Sequence, residues 1–318
     1  MSGGAVLALS GGIGGAKLAL GLSRVLPAGQ LTVVANTGDD FEHLGLSISP
    51  DLDTLMYTLA GLDNPETGWG RRGETWTFMA ALDSLGGETW FKLGDGDLAV
   101  HVERTRRLRA GERLTAITGD FCRRLGIGTR LLPMSDGRVR TRLRTSEGWL
   151  EFQEYFVHRR CAPEVREIEF AGAAAAEANP AFLAALAEPQ LRAVVICPSN
   201  PFISVDPILA LPGVRAALLK CRAPVLAISP IIGGQAVKGP TAKMMGELGL
   251  SVSAVTVARH YREFLDGFIL DEADAPLAPE LDMPFTLAKT LMRTLEDREA
   301  LARRTLEFAG ALMEKARG

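Results

Sequence analysis

Between positions 39 and 53 the chain carries four aspartates, Asp39, Asp40, Asp51 and Asp53. Carboxylates grouped this closely can hold a hard cation such as Mg²⁺ through oxygen ligands, or one of them can take the proton of a hydroxyl nucleophile. The plainer assignment makes Asp51 an N-terminal helix residue and Asp39 a turn residue. Upstream stands a glycine-rich segment, Ser10-Gly11-Gly12-Ile13-Gly14-Gly15-Ala16-Lys17. Glycines let backbone N–H groups approach a phosphate, and a helix N-terminus adds partial positive charge. Ser10, Gly11, Gly12, Gly14, Gly15 and Lys17 are therefore candidate phosphate-binding residues. The segment is not a P-loop, because Leu18 stands where Ser or Thr would meet magnesium. Nor is it GxGxxG, since Lys17 takes the last glycine position after Gly12 and Gly14. The competing role for these glycines is tight strand–helix packing alone.

The elements that must position these groups are legible as apolar runs. Ala5–Ser10 reads as a strand, and Ala16–Leu26 as a helix. Leu31–Asn36 is β-branched and apolar, as a buried parallel strand should be. The same pattern returns at Arg192–Cys197 and Pro224–Ser229, with weaker strand candidates at Ser251–Val257 and Phe268–Leu270. Helical stretches, Ile208–Leu219, Thr241–Leu248 and His260–Phe264, lie between them. This alternation predicts an α/β fold, Rossmann-like, with a mostly parallel sheet and helices on both faces. Val139–Leu143 and Trp149–Val157 predict an antiparallel hairpin within an inserted α+β elaboration. One α/β domain over 1–318 is expected. Its core would be about 1–60 and 191–272, its elaboration about 61–190, and its C-terminal helical segment about 285–318. In such sheets ligands bind beyond the carboxyl ends of the strands. The glycine segment, the aspartates, Pro198-Ser199-Asn200-Pro201 and Ser229–Gly234 all follow apolar runs.

Composition narrows the class. The chain has 318 residues, 47% of them hydrophobic and 23% charged, which is ordinary for a protein with a core. Its net charge of −3 argues against a nucleic-acid partner. No apolar run of spanning length exists, so no membrane partner is expected. Four scattered cysteines (122, 161, 197 and 221) without a CxxC pair, and no signal-peptide pattern, predict a cytoplasmic protein with reduced thiols. The four histidines show no metal-binding spacing, and no GxSxG elbow is present. Arg104, Arg106, Arg107 and Arg109 form a basic run, read as a solvated face rather than a phosphate clamp.

The ordered strings Asn36–Gly45, Ile48–Thr54, Phe91–Asp95, Leu132–Asp136, Pro198–Pro201 and Ser229–Gly233, with the glycine segment before them, closely resemble the 2-phospho-L-lactate transferase family. The match runs from about residue 7 to 272. The resemblance implies a transferase of coenzyme F-420 biosynthesis. A guanosine diphosphate-linked donor would carry phospholactate, or its phosphoenolpyruvate or phosphoglycerate equivalent. A ribityl hydroxyl of the deazaflavin 7,8-didemethyl-8-hydroxy-5-deazariboflavin (Fo) would attack, and GMP would leave. Mg²⁺ is the implied cofactor. Asp53 and Lys92 match positions that contact Fo. Asp39, Asp40 and Asp53 are the catalytic and metal candidates, Asp53 as metal ligand, hydroxyl-orienting group or base. Ser199 and Asn200 would face the guanosine diphosphate, and Met134, Ser135 and Asp136 would line the same cleft. Asp53→Asn is expected to keep the fold and lose transfer. The partners expected are these small molecules and, on base rates, a second copy in a homodimer. The alternative is a nucleotide-sugar-binding regulatory protein of a related family with the same glycine-rich start.

Overall fold

The computed structural model describes residues 4–317. Seven strands form the central sheet: β1 Val6–Ser10, β2 Leu31–Ala35, β3 Arg130–Pro133, β4 Ala193–Ile196, β5 Val225–Ile228, β6 Gly267–Asp271 and β7 Phe285–Ala288. Their order is β7-β6-β5-β4-β1-β2-β3, and every neighbouring pair is parallel. The chain reverses direction across the sheet between β1 and β4. That gap is the topological switch point, where open parallel sheets bind ligands.

Period-two alternation divides the strand side chains between two layers. Leu7 and Leu9 of β1 join the core under the later helices, together with Phe182, Val214 and Tyr261. Val6 and Ala8 face the other way, against Leu18, Leu22, Leu55 and Leu306. That second layer is built from α1 Gly12–Val25, α2 Pro50–Leu59 and α4 Leu295–Arg317, joined by the helix Leu114–Arg124 through Leu114 and Cys122. Helix α3, Asp95–Arg109, belongs to the insertion and covers the strand Leu46–Ile48. Gly21 lets α1 approach α4 closely. A Cβ there would strike the Arg298 carbonyl. A small third core, Ile48, Met79 and Leu93, sits under the insertion.

Several boundaries differ from the sequence reading. Helix α1 starts at Gly12, not Ala16, because Gly11 is extended and the glycines form the first helical turn. Ser251–Val257 is not a strand. Ser253 accepts a hydrogen bond from the Val255 N–H and caps a helix over Ala254–His260, so the helix expected at His260–Phe264 lies earlier. Ile208–Leu219 is two short helices, divided where Gly213 turns left-handed at φ 82°. The hairpin is present as Arg140–Thr145 and Gly148–Glu151, but Val165–Ala171 adds a third antiparallel strand. The sheet's edge strands, β3 and β7, come from outside the segments expected to supply the core. Among the described residues no helix is long and apolar enough to cross a membrane.

Candidate functional site

The carboxyl ends of β1 and β2 bring the glycine segment and the aspartates together. Asn36, the residue after β2, is the clasp. Its amide donates to Asp51 Oδ2 at 2.9 Å and to the Ile203 carbonyl at 3.2 Å, while its oxygen accepts from Gly38 N–H at 2.8 Å. Asp51 opens α2 yet serves α1, where its Oδ1 accepts the Gly12 N–H at 2.7 Å. A carboxylate thus sits at the amino end of α1, where positive partial charge favours it. The sequence reading gave Asp51 a helix-terminal role; the helix it serves is the spatial neighbour.

Asp39, Asp40, Asp51 and Asp53 are all buried, at 5–8% exposure. Burial pushes the Asp51 carboxyl up to about 6 and the Asp40 carboxyl up to about 7. Asp39 is pushed well above the ordinary range, by burial first and by the Asp51 charge second. One oxygen each of Asp39 and Asp40 has no hydrogen-bond partner, and neither has the Thr37 or the Thr141 hydroxyl. The other Asp40 oxygen accepts from Ser49 Oγ at 2.8 Å. Buried oxygens without partners are costly unless something completes them. The unpartnered oxygens of Asp39 and Asp40 suit a divalent cation such as magnesium by donor type and charge, whereas both Asp51 oxygens already accept hydrogen bonds.

Asp53 is engaged elsewhere. Both its oxygens face the guanidinium of Arg104, a residue only 1% exposed, in a bidentate pair. His101 Nδ1 lies 3.7 Å from Asp53 and its Nε2 3.1 Å from Asp97, which accepts from the Tyr57 hydroxyl. Asp53, Asp97 and His101 are close enough to ligate a metal, but the Arg104 cation already balances the Asp53 charge. No sequence spacing announced Arg104, which lies 51 positions from its partner. Its neighbours in the basic run are spent locally. Arg106 pairs with Glu103, Arg107 with Glu112 and Asp120, and Arg109 donates to the Gly45 carbonyl.

The remaining candidates divide in the same way. Ser199 Oγ donates to the Gly11 carbonyl at 2.8 Å and accepts the Gly11 N–H at 3.3 Å, locking the β4 loop to the end of β1. Asn200 caps the turn at Pro201–Val205 by accepting from Phe202 N–H. Gly14 and Gly15 permit close packing, since Cβ atoms there would strike the Pro198 carbonyl and the Ser10 hydroxyl. Only at Gly12, with φ +64°, is the space beyond open. Ser10 is fully buried and its hydroxyl unpartnered. Lys17 turns to the Met292 carbonyl at 2.9 Å. Met134 is core, Ser135 Oγ donates to the Glu177 carbonyl, and Asp136 accepts from Thr115 in the first turn of the preceding helix, Leu114–Arg124. Lys92 is exposed beside Phe91, whose ring meets Phe41 edge-on at 4.8 Å. His43 and Trp90 complete this aromatic group, which begins one residue after Asp40.

Fold and site together define a Rossmann-like α/β protein with a buried acidic centre at its switch point. The sequence profile of the 2-phospho-L-lactate transferase CofD family matches residues 6–294. A phosphoenolpyruvate transferase of Streptomyces griseus is 40% identical, covering 96% of this chain and 98% of its own. A 2-phospho-L-lactate transferase of Methanosarcina mazei is 39% identical, covering 93% and 98%. Among solved structures, a UPF0052-family protein from Bacillus halodurans superposes with a TM-score of 0.63 at 14% identity, over 95% of this chain and 99% of its own. That likeness concerns the fold alone. The chain belongs to the 2-phospho-L-lactate transferase family and is a transferase.

Proposed function

We propose that this protein moves a phospho-three-carbon-acid group from a guanosine diphosphate-linked donor to Fo, releasing GMP, in coenzyme F-420 biosynthesis. The observation that carries this reading is the full-length similarity to transferases of this kind, from residue 6 to 294. The same observation favours it over a nucleotide-sugar-binding regulator. The two relatives are nearly equally similar and are named for different acids, so the donor is assigned here as a class.

The geometry supports a division of labour. Asp39, with Asp40 beside it, would hold Mg²⁺ together with oxygens of the donor's phosphates. When bound there, the ion neutralises charge on the phosphoryl oxygens, the main catalytic need in such transfers. Asp40, buried next to Asp39 with one carboxylate oxygen unpartnered, is suited to receive the ribityl hydroxyl proton. Asp53, spent on Arg104, anchors α3 beneath the acids instead of acting as the base. Phe41, Trp90 and Phe91 offer edges and faces for a flat ring, with Lys92 at the rim.

The test is GMP release from lactate-, enolpyruvate- and glycerate-bearing donors, with and without Fo. Fo-dependent, Mg²⁺-dependent release from one donor supports the reading and names the acid. Release that ignores Fo, or none from any donor, overturns it.

A further inference from the structure

The three-stranded sheet of the insertion carries arginines at every second position of its central strand, so Arg140, Arg142 and Arg144 share one face. Register gives two of them acids. Arg142 stands opposite Glu151 and Glu169, 3.4 Å and 3.3 Å from their carboxylates. Arg144 stands opposite Glu167, 2.9 Å away. Arg140 stands opposite Ala171, and the strand Gly148–Glu151 ends before reaching it. Arg140 makes no ion pair among the described residues. Its Nη1 donates to the Val139 carbonyl at 2.7 Å, and the residue is half-buried. A half-buried guanidinium without a carboxylate is an arrangement that an anion completes.

The same end of that strand docks on the acidic centre. Thr141 N–H donates to the Gly38 carbonyl at 2.7 Å. The Thr141 hydroxyl, buried and unpartnered, lies where a Cβ on Gly38 would strike it. Gln153 Nε2 comes within 3.5 Å of the Asp39 carbonyl. Arg140 therefore stands beside the aspartate loop, and its charge acts there. Burial lowers the pKa of its guanidinium, and Asp40 is the first charge that opposes this, ahead of Glu151 and Glu42. The other guanidinium at the acids, Arg104, is already held by Asp53. Transfer at Asp39 and Asp40 brings the reacting phosphorus to this point. In each donor of the proposed class a carboxylate lies close to that phosphorus, on the acid's own carbon chain. Buried aspartates repel a carboxylate, and a rigid, bidentate guanidinium is the group that holds one.

We propose that Arg140 receives the carboxylate of the three-carbon acid and so orients its phosphoryl group towards the acidic centre. This deepens the transferase reading and rests on it. The experiment is steady-state transfer to Fo by the full chain, with lactate- and enolpyruvate-bearing donors and with a lactamide-bearing analogue that has no carboxylate. Wild type, Arg140→Met, Arg140→Lys and Arg142→Met are compared, and thermal melts check that each folds. Arg140→Met should lower kcat/KM for both acids about tenfold or more, the effect of one lost charge-assisted bond. It should leave the lactamide donor at the wild-type value, a pattern that a merely structural role would not give. Arg140→Lys should recover part of the loss. Arg142→Met, whose side chain is spent on Glu151 and Glu169, should lose nothing. Equal kcat/KM in Arg140→Met and wild type with the acid donors, or an equal loss with the lactamide donor, overturns the clamp while the transferase reading stands. Where no donor is turned over, the transferase reading fails, and calorimetric titration with phosphoenolpyruvate and Mg²⁺ decides the clamp alone. Binding weakened about tenfold in Arg140→Met keeps it; binding unchanged, or absent from the wild type, overturns it too.

Discussion

Asp40 and Asp53 are two aspartates of similar burial with opposite electrostatics. Asp40 carries an unpartnered oxygen, and burial pushes its carboxyl up to about 7. An acid held above its unfolded value of 3.8 stabilises the fold at low pH. That contribution is lost as pH rises through the folded value. In chelator, Asp40→Asn should therefore gain stability over the wild type, and the gap should widen by on the order of 2–3 kcal/mol between pH 5 and pH 8. Calorimetric melts at both values check this; a constant gap would show that Asp40 is not held protonated. Asp53 behaves differently. Asp53→Asn strands the buried Arg104, and breaking such a pair costs about 3–5 kcal/mol. The sequence reading expected an intact fold from this substitution. The structure predicts a lowered melting temperature, with Arg104→Met lowering it too and the double variant costing less than the sum of the two. An additive double variant would contradict the pairing.

At the scale of elements, the site depends on how closely α1 lies against its neighbours. Gly21→Ala should push α1 from α4 and destabilise by about 1–3 kcal/mol, measured by denaturant midpoint. Ala at Gly29, which has φ +79° but open space around it, would instead report backbone strain alone. The strands β1, β2, β4 and β5 were legible because each is a continuous apolar run buried on both faces. Strands β3 and β7 were not, since Arg130–Pro133 and Phe285–Ala288 are four-residue edge strands with exposed first residues. Ser251–Val257 misleads because its β-branched residues suit either state, and the Ser253 cap decides for helix. In the site, the aspartates were visible as a cluster. Their individual duties were not, because Asn36, Arg104 and Gly12 reach them across 15, 51 and 39 positions.

In the whole molecule, the switch point of one parallel sheet joins three chemistries. The acids follow β2 and open α2, Lys17, Lys238, Arg293 and Arg298 line a cavity beside α1, and Phe41 and His43 meet Trp90 and Phe91 of the insertion in the aromatic group. If the acids hold Mg²⁺, adding it at pH 8 should raise the melting temperature, by about 2.7 kcal/mol equivalent at a hundredfold excess over Kd. Asp39→Asn should abolish that rise; a full rise in the variant would place the ion elsewhere. The central claim is group transfer to Fo. Its most direct measurement is mass spectrometry of Fo incubated with the protein, Mg²⁺ and each guanosine diphosphate-linked donor, with GMP counted alongside. The account predicts one Fo–phosphoacid adduct per GMP, lost in Asp40→Asn. Unmodified Fo with every donor, or adduct at the wild-type rate in Asp40→Asn, would contradict it.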